Sequence, residues 1–185
     1  MVTIRQAKPE ECDGVNQFYC DLIDSMHNIE FKPAWKMGVY PTEQLIRNAI
    51  NEQTLFIAIL TSENTIKNPE TGEIIVGAMI LNHDCADEYK NAKWRIEAKK
   101  EEVMVIHLLA VSLFYQGKGI AKQMMSNAIE ICKKDSIKAI RLDILSTNSP
   151  AEKLYLSMGF NYVGTVKMFY EDTGLTDFIL YELVL

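Results

Sequence analysis

Two stretches of this 185-residue chain combine residue types and spacings that can do chemistry. The first is Gln116-Gly117-Lys118-Gly119-Ile120-Ala121, which lies after the apolar run Val103–Val111 and opens an amphipathic pattern. A strand that ends in a glycine-bearing loop and passes straight into a helix gathers free amides and the positive end of a helix dipole in one small volume. Glycine also lets the backbone approach an anion closely, because no Cβ intervenes. The loop is therefore built to cradle a phosphate, although a plain tight turn between strand and helix fits the same residues equally well. A dinucleotide G-x-G-x-x-G loop needs a small third residue where Lys122 stands, and Gly117-Lys118-Gly119 lacks both the spacing and the Ser/Thr of a Walker A loop.

The second stretch is Asn148-Ser149-Pro150-Ala151-Glu152-Lys153-Leu154-Tyr155-Leu156-Ser157-Met158-Gly159-Phe160. Its apolar stripe Ala151, Leu154, Tyr155 and Met158 fits a helix on which Tyr155 simply packs. Together the two stretches resemble the GCN5-related N-acetyltransferase (GNAT) superfamily. The family's acyl-CoA signature, Q/R-x-x-G-x-G/A, is matched by Gln116, Gly119 and Ala121. Its later motif, N-x-x-A-x-x-L-Y-x-x-x-G-F, is met by Asn148, Ala151, Leu154, Tyr155, Gly159 and Phe160. Leu113 stands where a proline is frequent, and Gln116 replaces the commoner arginine; backbone-mediated phosphate binding tolerates both changes.

The resemblance implies acetyl-CoA as co-substrate, with its pyrophosphate on Gln116, Gly117, Lys118, Gly119, Ile120 and Ala121. It implies a pantetheine arm paired with main-chain groups of Leu109, Ala110 and Val111, and contacted by Asn148. Amides near Leu109–Val111 would then polarise the thioester carbonyl and hold the charge that develops on its oxygen. Tyr155 resembles the general acid that protonates the departing thiolate; a phenol with a pKa near 10 stays protonated at neutral pH and can donate. For the base, the resemblance points to the strand Val103–Val111, where His107 shares the alternation of Val105, Leu109 and Val111. A neutral histidine with a pKa near 6.5 can take a proton from an ammonium group, while a core histidine bonded to a neighbouring element fits as well. Glu101 and Glu102, just before the strand, are further candidates. The acceptor expected is a small-molecule primary amine, with Trp35, Tyr40, Tyr89 and Trp94 as candidate walls, since aromatic faces hold a cation; aromatics that merely anchor loops fit the same residues equally. A protein lysine or N-terminus, and a binding module without turnover, are the alternatives.

The elements that must position these groups follow from periodicity. Val2–Ala7 is β-prone, and Pro9-Glu10-Glu11 opens a helix with Val15, Phe18, Tyr19, Leu22, Ile23 and Met26 on one stripe. A loop over 32–41 precedes a helix capped by Thr42. Strands at 54–60 and 74–81 form a hairpin around Asn68-Pro69-Glu70-Thr71-Gly72, and a charged insertion occupies about 82–102. Then come the strand 103–111, a helix over 118–134, a strand over 137–145, and a helix starting at Ser149 with Pro150 at its first position. Strands over 160–169 and 176–183 close the chain. The order predicts an α/β (α+β) fold with helices on both faces of a mixed sheet. The family resemblance sharpens this to a mostly antiparallel sheet of about seven strands, splayed between the strands at 103–111 and 137–145, in a single domain over residues 1–185.

Bulk properties narrow the class. A net charge of −6 without a basic block argues against nucleic-acid binding. No apolar run approaches a membrane span, and Met1-Val2-Thr3-Ile4-Arg5 lacks the start of a signal peptide, so a cytoplasmic protein is expected. Cys12, Cys20, Cys85 and Cys132 show no C-x-x-C spacing and are expected to be buried thiols; with only three histidines, no metal is expected. Many members of the family are dimers, which makes a homodimer a candidate assembly.

Overall fold

A computed structural model describes residues 2–30, 32–61 and 73–185. Seven strands form one sheet in the order β1-β2-β3-β4-β5-β7-β6. They are β1 (Val2–Gln6), β2 (Leu55–Thr61), β3 (Glu73–Asn82), β4 (Val103–Val111), β5 (Ala139–Leu145), β6 (Asn161–Tyr170) and β7 (Gly174–Val184). All neighbours are antiparallel except β4 and β5. The expected hairpin of β2 and β3 is present, while the residues expected to turn it, Asn68–Gly72, lie outside the described residues.

Helices α1 (Cys12–Ser25) and α2 (Glu43–Asn51) cover one face of the sheet over β2, β3 and β4. Helices α3 (Ile120–Lys134) and α4 (Ser149–Ser157) cover the other, where Met124, Met125, Ala128 and Cys132 meet Ile140, Leu142 and Ile144. The stripes read from periodicity are those that bury, as the hydrophobic driving force requires. Thr42 caps α2, its Oγ1 accepting from the Leu45 amide at 3.1 Å.

Local chemistry adjusts several boundaries. Pro9–Glu11 is a separate 3-10 turn ahead of α1. Lys118 stands outside α3, because Gly119 takes the cap position in the left-handed region. Asn148 caps α4, so Pro150 occupies the second helical position instead of the first. Two of the cysteines expected inside are not buried: Cys20, on α1, is half-buried, and Cys85, in the link between β3 and the turn Asp87–Asn91, is exposed. All four thiols are free. Among the described residues no helix is long and apolar enough to cross a membrane, and no group of three or more His, Cys, Asp or Glu is placed to hold a metal ion.

The charged segment between β3 and β4 forms two 3-10 turns, Asp87–Asn91 and Lys100–Glu102, and packs on the α1 side of β5 and β7. It is held there by a buried ion pair. Glu182, fully buried, accepts from Arg141 Nε at 2.9 Å and from the Arg95 amide at 2.7 Å. The Arg141 guanidinium also lies 4.2 Å from the centre of the Trp94 ring.

Candidate active site

The site starts where β4 and β5 part. They pair only through Val103–Ala139, Met104–Ile140 and Val105–Arg141, yet β4 runs on to Val111 and β5 to Leu145. Beyond Val105 the parallel ladder is open, and the carboxyl ends of two strands flank a gap. Such gaps are where open α/β sheets take ligands.

A bulge in β4 shapes one side of this gap. Leu108 has φ +53°, and the register with β3 slips between Ala78–Ala110 and Ile80–His107. The buried phenol of Tyr19, on α1, donates to the Leu108 carbonyl at 2.7 Å and holds the bulge in place. An extra residue on one strand reverses which face later side chains take. Met104 and Ile106 pack under α3 and α4 before the bulge, and Leu109 and Val111 do so after it. Val103 and Val105 lie on the opposite face, as do Leu108 and Ala110. His107 therefore keeps the face of Val105 but not that of Leu109 and Val111. The regular alternation that placed all four together is corrected by the bulge.

A cavity of about 720 Å³ fills the gap and is lined from both faces of the sheet. On the α3/α4 side it meets Leu109, Val111, Gly117, Gly119, Ile120, Ala121, Asn148 and Tyr155. On the other side it meets Trp35, Tyr40, His107, Asp143, Tyr170 and Asp172. Nearly all the residues singled out in the sequence are thus brought together. Gln116 and Ala110 also line it; Lys118 does not, its Nζ lying 4.8 Å from the centre of the Tyr115 ring. Glu101 and Glu102 are not among the lining residues, and Glu102 pairs instead with Lys138 at 2.7 Å. Of the aromatic wall candidates, Trp35 and Tyr40 line the cavity, whereas Tyr89 and Trp94 stand behind it.

The loop Gly117–Gly119 fits a phosphate through conformation more than space. Gly117 and Gly119 have φ +75° and +78°, and a Cβ on either would meet nothing within 4 Å. Side chains are disfavoured there by the left-handed backbone itself. The Gln123 amide makes its bond to the Gly119 carbonyl at 3.0 Å, so the amides of the first turn before it have no helical carbonyl to bond. Asn148 has a structural task as well: its Oδ1 accepts from the Ala151 amide at 3.3 Å and fixes the start of α4. That helix delivers Tyr155, 6% exposed, whose ring lies edge-on to Phe160 at 5.6 Å. Burial first, and then the negative charge of Asp143, hold the Tyr155 phenol above its ordinary range, so it is a proton donor at any physiological pH.

On the opposite side His107 Nε2 lies 3.1 Å from both Asn82 Oδ1 and the Asp84 carbonyl. Both partners are acceptors, so Nε2 carries the hydrogen of the neutral ring and Nδ1 is left with a lone pair. Burial pushes the His107 pKa down, against the pull of the Asp84 carbonyl and charge. The ring is a neutral acceptor near pH 7.

Asp143 was not singled out in the sequence. Burial pushes its carboxyl up to about 6; a hydrogen bond from Tyr89 opposes the shift and the charge of Glu88 adds to it. Tyr40 and Tyr170, whose centroids are 6.1 Å apart, feel this charge and that of Asp172. The cavity is thus polarised, with glycine-loop amides and Lys122 towards one end and two carboxylates among tyrosine rings towards the other. An anion suits the first end and a cation the second.

The sequence model of the Acetyltransferase (GNAT) family matches residues 23–160. A Bacillus subtilis (strain 168) protein, provisionally assigned as a ribosomal protein bS18-alanine N-acetyltransferase, is 29% identical over 66 residues, 36% of this chain and 44% of that protein. The N-acetylaspartate synthetase of Xenopus tropicalis is 32% identical over 69 residues, 37% of this chain and 26% of that protein. The matched stretches therefore span less than half the length of these curated relatives. The fold is similar to that of Arabidopsis thaliana NAA60 in complex with acetyl-CoA, with a TM-score of 0.70 at 15% identity, covering 100% of this chain and 99% of that one.

Proposed function

We propose that the chain, which belongs to the Acetyltransferase (GNAT) family, is an N-acetyltransferase that moves an acetyl group from acetyl-CoA to a primary amine of a small molecule, by direct transfer in a ternary complex. The observation that carries this reading is the single cavity crossing the sheet between β4 and β5, with an anion cradle towards one end and carboxylates towards the other. It gives both substrates access to one point from opposite faces, which is the proximity that direct transfer needs.

When bound, acetyl-CoA supplies an acyl group activated as a thioester. The amides of Gly117–Ala121 would hold its pyrophosphate, and the edge of Leu109–Val111 that faces β5, where the ladder is open, would with Asn148 hold its pantetheine arm. Tyr155 donates its phenolic proton to the sulfur that leaves. On the other face Asp143, with Tyr40 and Tyr170, attracts and orients the acceptor as a cation. His107 Nδ1, or a water it orders, takes the ammonium proton; Asp143 is the second group there able to do so. The loop around Trp35 and Tyr40, together with Asp172 and Thr173, walls the acceptor side, which favours a compact amine over a protein segment. We place the reaction in a single domain over residues 1–185, working in the cytoplasm.

Free-thiol release from acetyl-CoA across a panel of amines tests this function. Small primary amines are expected to outpace peptides, including peptides with an N-terminal alanine. A peptide preference would replace the small-molecule acceptor with a protein one. Silence with every acceptor, despite a thermal shift on adding acetyl-CoA, would leave a binding module.

A further inference from the structure

The segment between β3 and β4 reaches the cavity through two hydrogen bonds, one that the Asp84 carbonyl accepts from His107 and one that Tyr89 donates to Asp143. Tyr89, 3% exposed, donates its phenolic proton to Asp143 Oδ1 at 2.7 Å. Tyr89 is itself braced from behind. Its carbonyl accepts from Trp94 Nε1 at 2.9 Å, and the two rings lie 5.1 Å apart. Trp94 is sandwiched against Arg141, which also donates to the Ile96 carbonyl at 3.1 Å and pairs with buried Glu182. Glu182 in turn holds the Arg95 amide. A buried ion pair is costly to assemble and contributes geometry more than stability. Here the geometry it contributes is a fixed position for the Tyr89 phenol.

A fixed donor matters because of what else faces Asp143. Glu88 approaches from the same turn as Tyr89, Tyr155 from α4, Tyr170 from β6 and Tyr40 from the 32–41 loop. Of these, only Tyr89 makes a hydrogen bond to the carboxylate among the described residues. One bonded oxygen stops the carboxylate from rotating and leaves Oδ2 to meet an ammonium group.

We infer that Tyr89 is a positioning residue for acetyl transfer, its phenol holding the Asp143 carboxylate in register with the acceptor amine. This rests on the reading that Asp143 serves the acceptor. The segment between β3 and β4 is then a working part of the acceptor site, acting from behind its wall.

The test uses the full chain with Tyr89→Phe, Asp143→Asn and the pair, and two readouts. One is the carboxyl carbon resonance of Asp143 followed through a pH titration. The other is the pH profile of kcat/KM for the best amine of the panel. Tyr89→Phe removes the group that favours the ionised carboxylate. The resonance midpoint and the acid limb are both expected to move up by about one pH unit, the size of a charge-assisted hydrogen bond. At neutral pH kcat/KM is expected to fall about tenfold, while the same change in the Asp143→Asn background costs less than about twofold. Trp94→Phe, which loses only the brace, is expected to shift the limb the same way by less. An unmoved resonance with equal loss in both backgrounds would make Tyr89 a packing residue and overturn the inference. A resonance that moves under an unmoved limb also overturns it, by showing that the reaction does not use Asp143, and so sinks the acceptor reading instead.

Discussion

Replacing Tyr155 with phenylalanine removes one oxygen atom from the wall of the cavity. The ring, 6% exposed and edge-on to Phe160, is kept by the variant. No protein group among the described residues hydrogen-bonds the Tyr155 phenol, so nothing is orphaned, and stability is expected to change by no more than about 1 kcal/mol. Burial and Asp143 keep the wild-type phenol protonated across the working pH range, so the change deletes a donor without altering charge. Losing a general acid costs roughly 10²–10⁴-fold, or about 3–5 kcal/mol of barrier. That loss belongs in kcat, because the groups proposed to hold acetyl-CoA are untouched. Thiol release at saturating acceptor, with acetyl-CoA varied, separates kcat from KM, and a thermal melt checks the fold. A kcat loss below about fivefold would refute the acid role; an equal loss in acetyl-CoA affinity would make Tyr155 a wall and no more.

Gly119→Ala forces a side chain into a backbone with φ +78°, at a cost of roughly 1–2 kcal/mol. Titration calorimetry should show acetyl-CoA binding weakened about tenfold, with the amine specificity unchanged. Tyr19→Phe orphans the buried Leu108 carbonyl, so urea melts should lose about 1–3 kcal/mol, and KM for acetyl-CoA should rise as the bulge relaxes. Glu182→Ala leaves Arg141 buried without its partner, and denaturant melts should lose about 3–5 kcal/mol.

The parts of this molecule that were legible in the sequence are those governed by local rules. β4 spans the apolar run Val103–Val111 because a strand covered on both faces needs no polar alternation. Thr42 and Asn148 start helices for reasons contained in three or four residues. The bulge at Leu108 was hidden, since it depends on a mismatch with β3 that an unbroken apolar run does not record. Its effect was to misplace His107 relative to Leu109. Asp143 was hidden for a different reason. Alternating with Ile140, Leu142 and Ile144, the pair Arg141 and Asp143 reads as a solvated strand face, and only the 87–96 segment folding over it withdraws both from water. The signal available was that segment's own Tyr89 and Trp94, two large aromatics in an otherwise charged stretch. Tyr40 and Tyr170 are 130 positions apart in the numbering and meet only once the sheet is assembled.

The reversal of β4 at Leu108 also has a meaning for how such a protein can change. Val105 and His107, before it, lie on one face of the sheet, and Leu109 and Val111, after it, lie on the other. The two sets do not overlap, although only five residues lie between their extremes, Val105 and Val111. On the proposed reading, amine selectivity would be altered through His107 and Ala110 on the α1 side, and donor binding through Ile106, Leu109 and Val111 on the other. A substitution alters one face, but deletion of Leu108 would exchange the faces of the residues that follow it. The strand tolerates editing and does not tolerate slippage.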